Sequence, residues 1–358
     1  VLPRLGAPRW LVPVAAPTAA AAVAGQGGSR GRRLALGALV SARRGAVRLG
    51  APVRRLRVPE TEDSLVTAVS AVLGDDVDVA VRLGSWSHAR TAVLRVVARD
   101  GTTVAFGKLG IDAEGRAAVR AETTALERAA GLGLRRVVLP RVLHRDTWRG
   151  LELVLVSPLL ATGDVSDPGP PLDAMRELAA SGGARTARLD RSAWSARTGE
   201  RVAAVGDPAL RRELGEHLDR VGAAGTDPLA LGPGHGDWTA WNMIRDDDRV
   251  LLWDWEHFGE DVPAGFDPVH FLAQQLRVGT GTGPAAEATW LARSRTCLGE
   301  DLGVPGAARD VVVAAYLLDV NLRFVLDRQG TPLAVAEREG WGLPLLRRLV
   351  GELPTATR

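Results

Sequence analysis

An α+β chain in two parts is what this sequence predicts: a small antiparallel sheet carrying one helix, followed by a larger and mostly helical body. Three observations carry that prediction. Between residues 77 and 110, three strand-like runs follow one another, the last two joined by "RDG", a strong hairpin signal. A helical run at 113–133 separates them from two further strand-like runs that end by 160. Beyond a proline- and glycine-rich break at 163–171 ("GDVSDPGPP"), the periodicity is nearly all helical. With 358 residues and 46% hydrophobic content, the chain can form two domains or one two-lobed domain with a sizeable core.

The first 59 residues stand apart by charge. They hold eleven arginines and no acidic residue, so residues 60–358 carry 34 basic against 42 acidic residues, a balance of −8 within an overall +3. The sequence pI of 9.8 therefore describes the leading stretch rather than the body. Such a stretch suits a membrane-surface or nucleic-acid patch, an organellar transit peptide, or an arginine-decorated extension packed partly on the main body. Pro13 and Pro17 break its best apolar run, against a secretory signal. No run of 18 apolar residues occurs, so no transmembrane helix is expected. The lone cysteine, Cys297, excludes an intrachain disulfide framework and a cysteine-built metal site, in keeping with a reducing, cytoplasmic setting.

After Pro59 the elements can be taken in order. "ETEDSLVTAVSAVLG" (60–74) has acids in its first turn and glycine after its last, which predicts a short amphipathic helix. "VDVAVRLG" (77–84), "TAVLRVVARDG" (91–101) and "TTVAFGKLG" (102–110) are the three strands. The helix at 113–133 is periodic through Val119, Leu126 and Ala130 and closes on glycine. "RRVVLPRVLH" and "GLELVLVSPLL" supply two more strands, giving five strands with one helix inserted after the third. Helices are expected at 172–180, 207–222, 284–298, 307–328 and 342–352. The segment "LGPGHGDWTAWNMIRDDDRVLLWDWEHFGEDVPAGFDPVHFL" reads as loop, strand and loop, and holds four of the ten tryptophans. The implied division is a basic extension at 1–59, a sheet part at 60–157 and a helical part at 158–358.

Two features of this sequence point to chemistry. Lys108 is the only lysine among 45 basic residues, the other 44 being arginine. Chance would leave one lysine about as readily as selection, but a site that needs a compact ammonium would keep it against the arginine default. In "HGDWTAWNM" and "VLLWDWE", Asp237, Asn242 and Asp254 lie within a short region beside strand-like and turn segments. Asp and Asn oxygens are the hard ligands that Mg²⁺ prefers, and a further carboxylate can take a proton from a hydroxyl. Taken singly, each of these residues is explained by its preference for turns.

Together they resemble the aminoglycoside phosphotransferase and choline kinase family. Its HGDxxxxN loop is matched by His235, Gly236, Asp237 and Asn242, and its strand-borne metal motif by Trp253, Asp254 and Trp255. The resemblance spans about residues 75–275. It implies a protein-kinase-like fold with a small antiparallel-sheet N-lobe that binds nucleotide and a larger, mainly helical C-lobe. It implies Asp237 as catalytic base, His235 as brace of the loop, and Asn242 and Asp254 as Mg²⁺ ligands. Lys108 falls on the third strand, where such enzymes place the lysine that meets the nucleotide phosphates, and Glu122, within "ETTAL", is its expected partner ahead of Glu127. Gly84, Ser85 and Ser87 fall where the phosphate-covering loop belongs. "FDPVHFL" keeps the family's Asp267 but has Phe271 where a second Asp is usual. Gly236 takes the place of the arginine beside the base in regulated protein kinases, and no DFG or APE sequence occurs, so an unregulated enzyme is expected.

The function so implied is transfer of the γ-phosphate of ATP, or GTP, with Mg²⁺, to a hydroxyl of a small molecule: an aminoglycoside, a sugar or an amino alcohol. A kinase of Ser/Thr in a peptide and a nucleotide-binding pseudokinase or scaffold are the alternatives. For the acceptor, Glu256, Glu260 and Asp261 suggest an acidic surface for polycations or a merely solvated loop. Trp238, Trp241 and Trp255 suggest a box for a quaternary ammonium, a stacking surface for a sugar, or core packing.

Overall fold

The computed structural model describes residues 2–4, 7–11, 61–83, 90–160, 169–183, 185–225, 227–279, 283–327 and 342–354. The chain forms two compact units, residues 1–127 with 140–159 and residues 128–139 with 160–358.

The first unit is built on an antiparallel sheet. Helix α1 (Leu65–Leu73) starts where the Ser64 side chain accepts the Thr67 N–H and stops at Gly74, which takes the left-handed conformation at φ 67°. Strands β3 (Val77–Leu83), β4 (Thr91–Ala98) and β5 (Thr103–Gly110) follow as expected, β4 and β5 forming the hairpin around Gly101. After helix α2 (Ala113–Ala130), strands β7 (Val142–Trp148) and β8 (Leu151–Val156) return to the sheet, β8 beside β5. Val79, Leu94, Val96, Ala105, Leu109 and Leu155 pack with Val69 of α1 on one side of this sheet. The period-two alternation turns Lys108, between Gly107 and Leu109, to the other side, toward α2.

Two expectations are corrected here. The arginine-rich beginning contributes two strands, β1 (Leu2–Arg4) and β2 (Ala7–Leu11), and β2 pairs with β3 through Trp10 opposite Arg82 and Leu11 opposite Val81. Backbone pairing at a sheet edge uses N–H and C=O groups that any sequence supplies, so composition alone did not predict it. The run at 135–144 splits at Pro140: β6 (Val137–Val138) leaves this sheet and pairs in parallel with β12 (Arg249–Leu252) of the second unit. The rest of the arginine-rich stretch, 12–59, lies outside the described residues.

The second unit is mainly helical. Helices α3 (Leu172–Ala180), α5 (Pro208–Ala224), α7 (Pro284–Thr296), α8 (Gly306–Asp327) and α9 (Leu343–Glu352) meet the expected positions to within two residues at nearly every end. Two helices were not expected. Helix α4 (Ala193–Ala203) is capped by Ser192, which accepts the Ser195 N–H, and buries Trp194, Thr198 and Val202 at spacing four. Helix α6 (Phe266–Gly279) opens on the "FDPV" turn that reads as loop in the sequence. Helix α8 is the core of the unit: Val311 to Leu318 are all buried, as in a helix enclosed on every side. Its polar residues Asp319 and Arg323 are therefore conspicuous. Strand β10 (Leu229–Gly234) lies between β13 (Gly259–Pro263) and β9 (Arg185–Ala187), and β11 (Met243–Asp246) pairs with β12. Among the described residues, no helix is long and apolar enough to cross a membrane.

Candidate active site

Strand β10 is buried along most of its length and delivers the segment His235–Gly236–Asp237 at its end. The β11–β12 hairpin sets Met243 opposite Leu252, so the next residues outward, Asn242 and Trp253, also meet: the Trp253 N–H donates to the Asn242 carbonyl at 3.0 Å. Asp254 follows immediately. Hairpin register thus explains why Asn242 and Trp253, eleven apart in sequence, come together. Asp254 holds φ at 73°, a left-handed conformation that Asp and Asn tolerate better than other side chains.

The loop is tied down at several points. His235 is fully buried. Its Nδ1 accepts the Asp237 N–H at 3.2 Å, and its Nε2 therefore carries the hydrogen that goes to the Trp253 carbonyl, also 3.2 Å away. Burial lowers its pKa, favouring the neutral ring this pattern requires. The buried carboxylate of Asp267 accepts the N–H groups of His235 and Gly236, each at 2.8 Å, and Arg323 donates to the Gly236 carbonyl at 2.9 Å. Gly236 sits at φ 80°, where a Cβ would come within 2.4 Å of the His257 carbonyl, so only glycine fits.

Each oxygen of the Asp237 carboxylate has one donor. The Asn242 Nδ2 is 2.8 Å from Oδ2 and also reaches the Asp237 carbonyl at 3.0 Å; the His270 Nε2 is 3.0 Å from Oδ1. An ionised carboxylate only accepts, so this Nε2 carries hydrogen, and on the other side of the ring Nδ1 is hydrogen-bonded to the hydroxyl of Tyr316 at 3.0 Å. Burial pushes the Tyr316 phenol up, so it stays protonated. Burial also pushes the Asp237 carboxyl upward, but the hydrogen bond and charge of His270, with the charge of Arg323, outweigh it and bring the pKa down to about 2. The group is ionised at neutral pH and oriented through both oxygens.

A cavity of about 400 Å³ opens within the second unit beside this loop, lined among others by Gly236, His257, His270, Arg201 and Arg323. Partial withdrawal from water and the neighbouring Arg323 depress His257 to about 3, so it is neutral. Trp238 and Trp255 are completely buried and pack around His235, with Trp255 edge-on to its ring at 4.9 Å. Core packing is their role; they box no ligand. Trp241 is exposed. The acidic loop has no common acidic face either: Asp261 is buried, accepting the Ala193 N–H at 2.9 Å at the start of α4, while Glu260 is exposed and Glu256 lines the cavity. Phe271, where the resemblance leads one to expect an acid, is fully buried.

In the first unit Lys108 Nζ lies 2.7 Å from Glu122 Oε2, the lysine 20% and the glutamate 9% exposed in their side chains. Glu127 pairs instead with Arg145, at 3.2 Å. Gly84, Ser85 and Ser87 lie outside the described residues.

Sequence reading did not find His270, Tyr316, Asp319, Arg201 or Arg323. His270 was the legible one: three residues beyond Asp267 on one helix, the two share a face. Tyr316 is the chain's only tyrosine, but nothing local to it points to residue 237.

No protein-family model and no curated protein sequence matches the chain. Among solved structures, it is similar to a putative fructosamine-3-kinase from Thermobifida fusca YX-ER1, at 18% identity and TM-score 0.48, over 81% of this chain and 99% of that one. It is also similar to a choline/ethanolamine kinase family protein from Mesorhizobium loti, at 18% identity and TM-score 0.45, over 77% and 89%. A third is the aminoglycoside phosphotransferase APH(2")-IIa in a streptomycin–ATP complex, at 13% identity and TM-score 0.43, over 83% and 97%. At these values the functional reading rests on the site's own geometry.

Proposed function

We propose that the protein is a phosphotransferase that moves the γ-phosphate of ATP, with Mg²⁺, to a hydroxyl group of a small molecule. The observation that supports it best is Asp237: an ionised carboxylate, oriented by Asn242 and His270, at the end of a strand and beside a cavity. As the acceptor oxygen bonds to the γ-phosphorus and the bond from phosphorus to the β-phosphate bridging oxygen breaks, the hydroxyl proton passes to Asp237 and ADP leaves. His270 keeps the carboxylate turned, and its own link to Tyr316 keeps the ring turned.

The donor set suits Mg²⁺. Asn242 spends its Nδ2 on Asp237, which leaves its amide oxygen as a hard ligand, and Asp254 supplies a carboxylate. When bound, the ion would neutralise charge on the phosphates. Lys108, held by Glu122, would neutralise more of it as a point charge. The test is transfer from labelled ATP to a panel of sugars, amino alcohols, aminoglycosides and peptides. Absence of transfer to every one of them, with nucleotide bound, would favour a scaffold instead.

Asp254→Asn is the variant that reads the metal without disturbing the backbone, because Asn also tolerates φ 73°. We expect Mg²⁺-dependent nucleotide affinity to fall about tenfold or more, with metal-free affinity unchanged, a loss of at least about 1.4 kcal/mol. Calorimetric titration with and without Mg²⁺ checks it, and an unaltered affinity with Mg²⁺ removes Asp254 from this role. Lys108→Arg should keep the fold but slow phosphoryl transfer at least about tenfold, since a longer, planar guanidinium paired with Glu122 cannot also serve the phosphates from the position of a compact ammonium. Turnover equal to wild type would make the lone lysine an accident.

A further inference from the structure

Of the acidic loop that would suit a polycation only Glu256 lines the cavity beside Asp237, and arginines share that lining. Three arginines face it: Arg197 and Arg201 from α4, and Arg323 from α8. Their commitments are few. Arg197 gives one hydrogen bond, to the Asp261 carbonyl at 2.8 Å. Arg201 gives two, to a carboxylate oxygen and the carbonyl of Asp319. Arg323 gives two, to the other Asp319 oxygen and to the Gly236 carbonyl. Each guanidinium has five N–H donors, so each has N–H groups beyond these bonds.

The carboxylates of the lining are spent in the opposite sense. Both oxygens of Asp319 are taken by arginines, and both of Asp267 by backbone N–H groups. Burial pushes Asp319 upward, yet Arg201 and Arg323 hold it below the ordinary carboxylate range, so one buried negative charge is set against two guanidiniums. Glu256 is the third carboxylate, 3.7 Å from the neutral His257. Three arginines thus stand against three carboxylates, and what the cavity offers is guanidinium N–H groups beyond those its own carboxylates and carbonyls use, in the fork geometry that fits planar or tetrahedral oxyanions.

Resting on the phosphotransferase reading, we infer that this cavity is the acceptor site and that the acceptor is an anionic alcohol, bearing a carboxylate or phosphate beside the hydroxyl to be phosphorylated. Arg197 and Arg201 would hold the anion, and the hydroxyl would be turned toward Asp237.

A matched set of six-carbon compounds tests this: gluconate with a carboxylate, glucose 6-phosphate with a phosphate, neutral glucose and cationic glucosamine. Binding to the full-length protein is measured by calorimetry without ATP, so the result does not depend on phosphoryl transfer. We expect gluconate or glucose 6-phosphate to bind at least about tenfold more tightly than glucose, and glucosamine more weakly than glucose; which anion wins tells carboxylate from phosphate. Arg197→Gln changes an exposed residue and should cut the anion's affinity at least about fivefold while glucose binding stays the same. Equal binding of all four, a preference for glucosamine, or an anion affinity unmoved by Arg197→Gln would each overturn the inference. Failure of the kinase reading would show separately, as bound anion with no transfer from ATP to any alcohol.

Discussion

Asp237→Asn should bind nucleotide almost as the wild type does and turn over at least about 10²-fold more slowly. The substitution removes the proton acceptor and almost nothing else. Asn242 still donates to the residue 237 carbonyl, at 3.0 Å in the wild type, so the loop keeps its link to β11. His270 can accommodate an amide by exchanging tautomers: Nε2 then accepts and Nδ1 donates to Tyr316, a rearrangement that costs little because both ring partners remain. Asn242 and Asp254 are untouched, so metal-dependent nucleotide affinity should hold. The check is a pair of measurements on one preparation, nucleotide titration and single-turnover transfer. A wild-type rate would remove Asp237 from the role of base, and lost nucleotide affinity would show that its charge serves binding instead.

Asp267→Ala should give the largest loss of stability of any single change near the site, about 3–5 kcal/mol, with turnover lost as well. Its carboxylate accepts two buried backbone N–H groups at 2.8 Å, and hydrogen bonds to a charged acceptor contribute about 1.5–3 kcal/mol each. The truncated side chain leaves both donors without their protein partner. Asp267→Asn retains one acceptor oxygen and should lose roughly half as much. Urea unfolding followed by tryptophan fluorescence is apt, since Trp238 and Trp255 are buried around the same loop. Midpoints indistinguishable from wild type in both variants would show that the loop holds itself without Asp267.

What the sequence revealed and what it concealed follow from the range of the interactions. Strands 77–84, 91–101 and 102–110, and the helices from 172 onward, carry their signals locally, in period and in turn residues. The motif residues were legible for the same reason: Asp237, Asn242 and Asp254 lie at one strand end and one hairpin within a short segment. Helix α4 was hidden because Ser195, Thr198 and Gly199 are weak helix formers, and its apolar stripe is only Trp194 and Val202 either side of a buried threonine. β6 was hidden because two residues carry no period, and its partner lies more than a hundred residues away. The cavity was the least legible part. Arg201, His270, Tyr316 and Arg323 come from three helices, and no spacing along the chain announces that they converge.

Asp267 and His270 stand one turn apart on α6, and between them they hold the loop and the base. Arg197 and Arg201 stand on α4. On the function and acceptor site proposed above, chemistry and choice of acceptor would be written on separate helices. An α4 carrying other side chains would admit another alcohol while the base stayed registered to α6, so new specificity in this architecture requires few changes and leaves the reaction intact. For an engineer the proposal sets an order of work: residue 197 is the dial, residue 201 is tied through Asp319 and Arg323 to the loop, and residues 267 and 270 are the mount to leave alone.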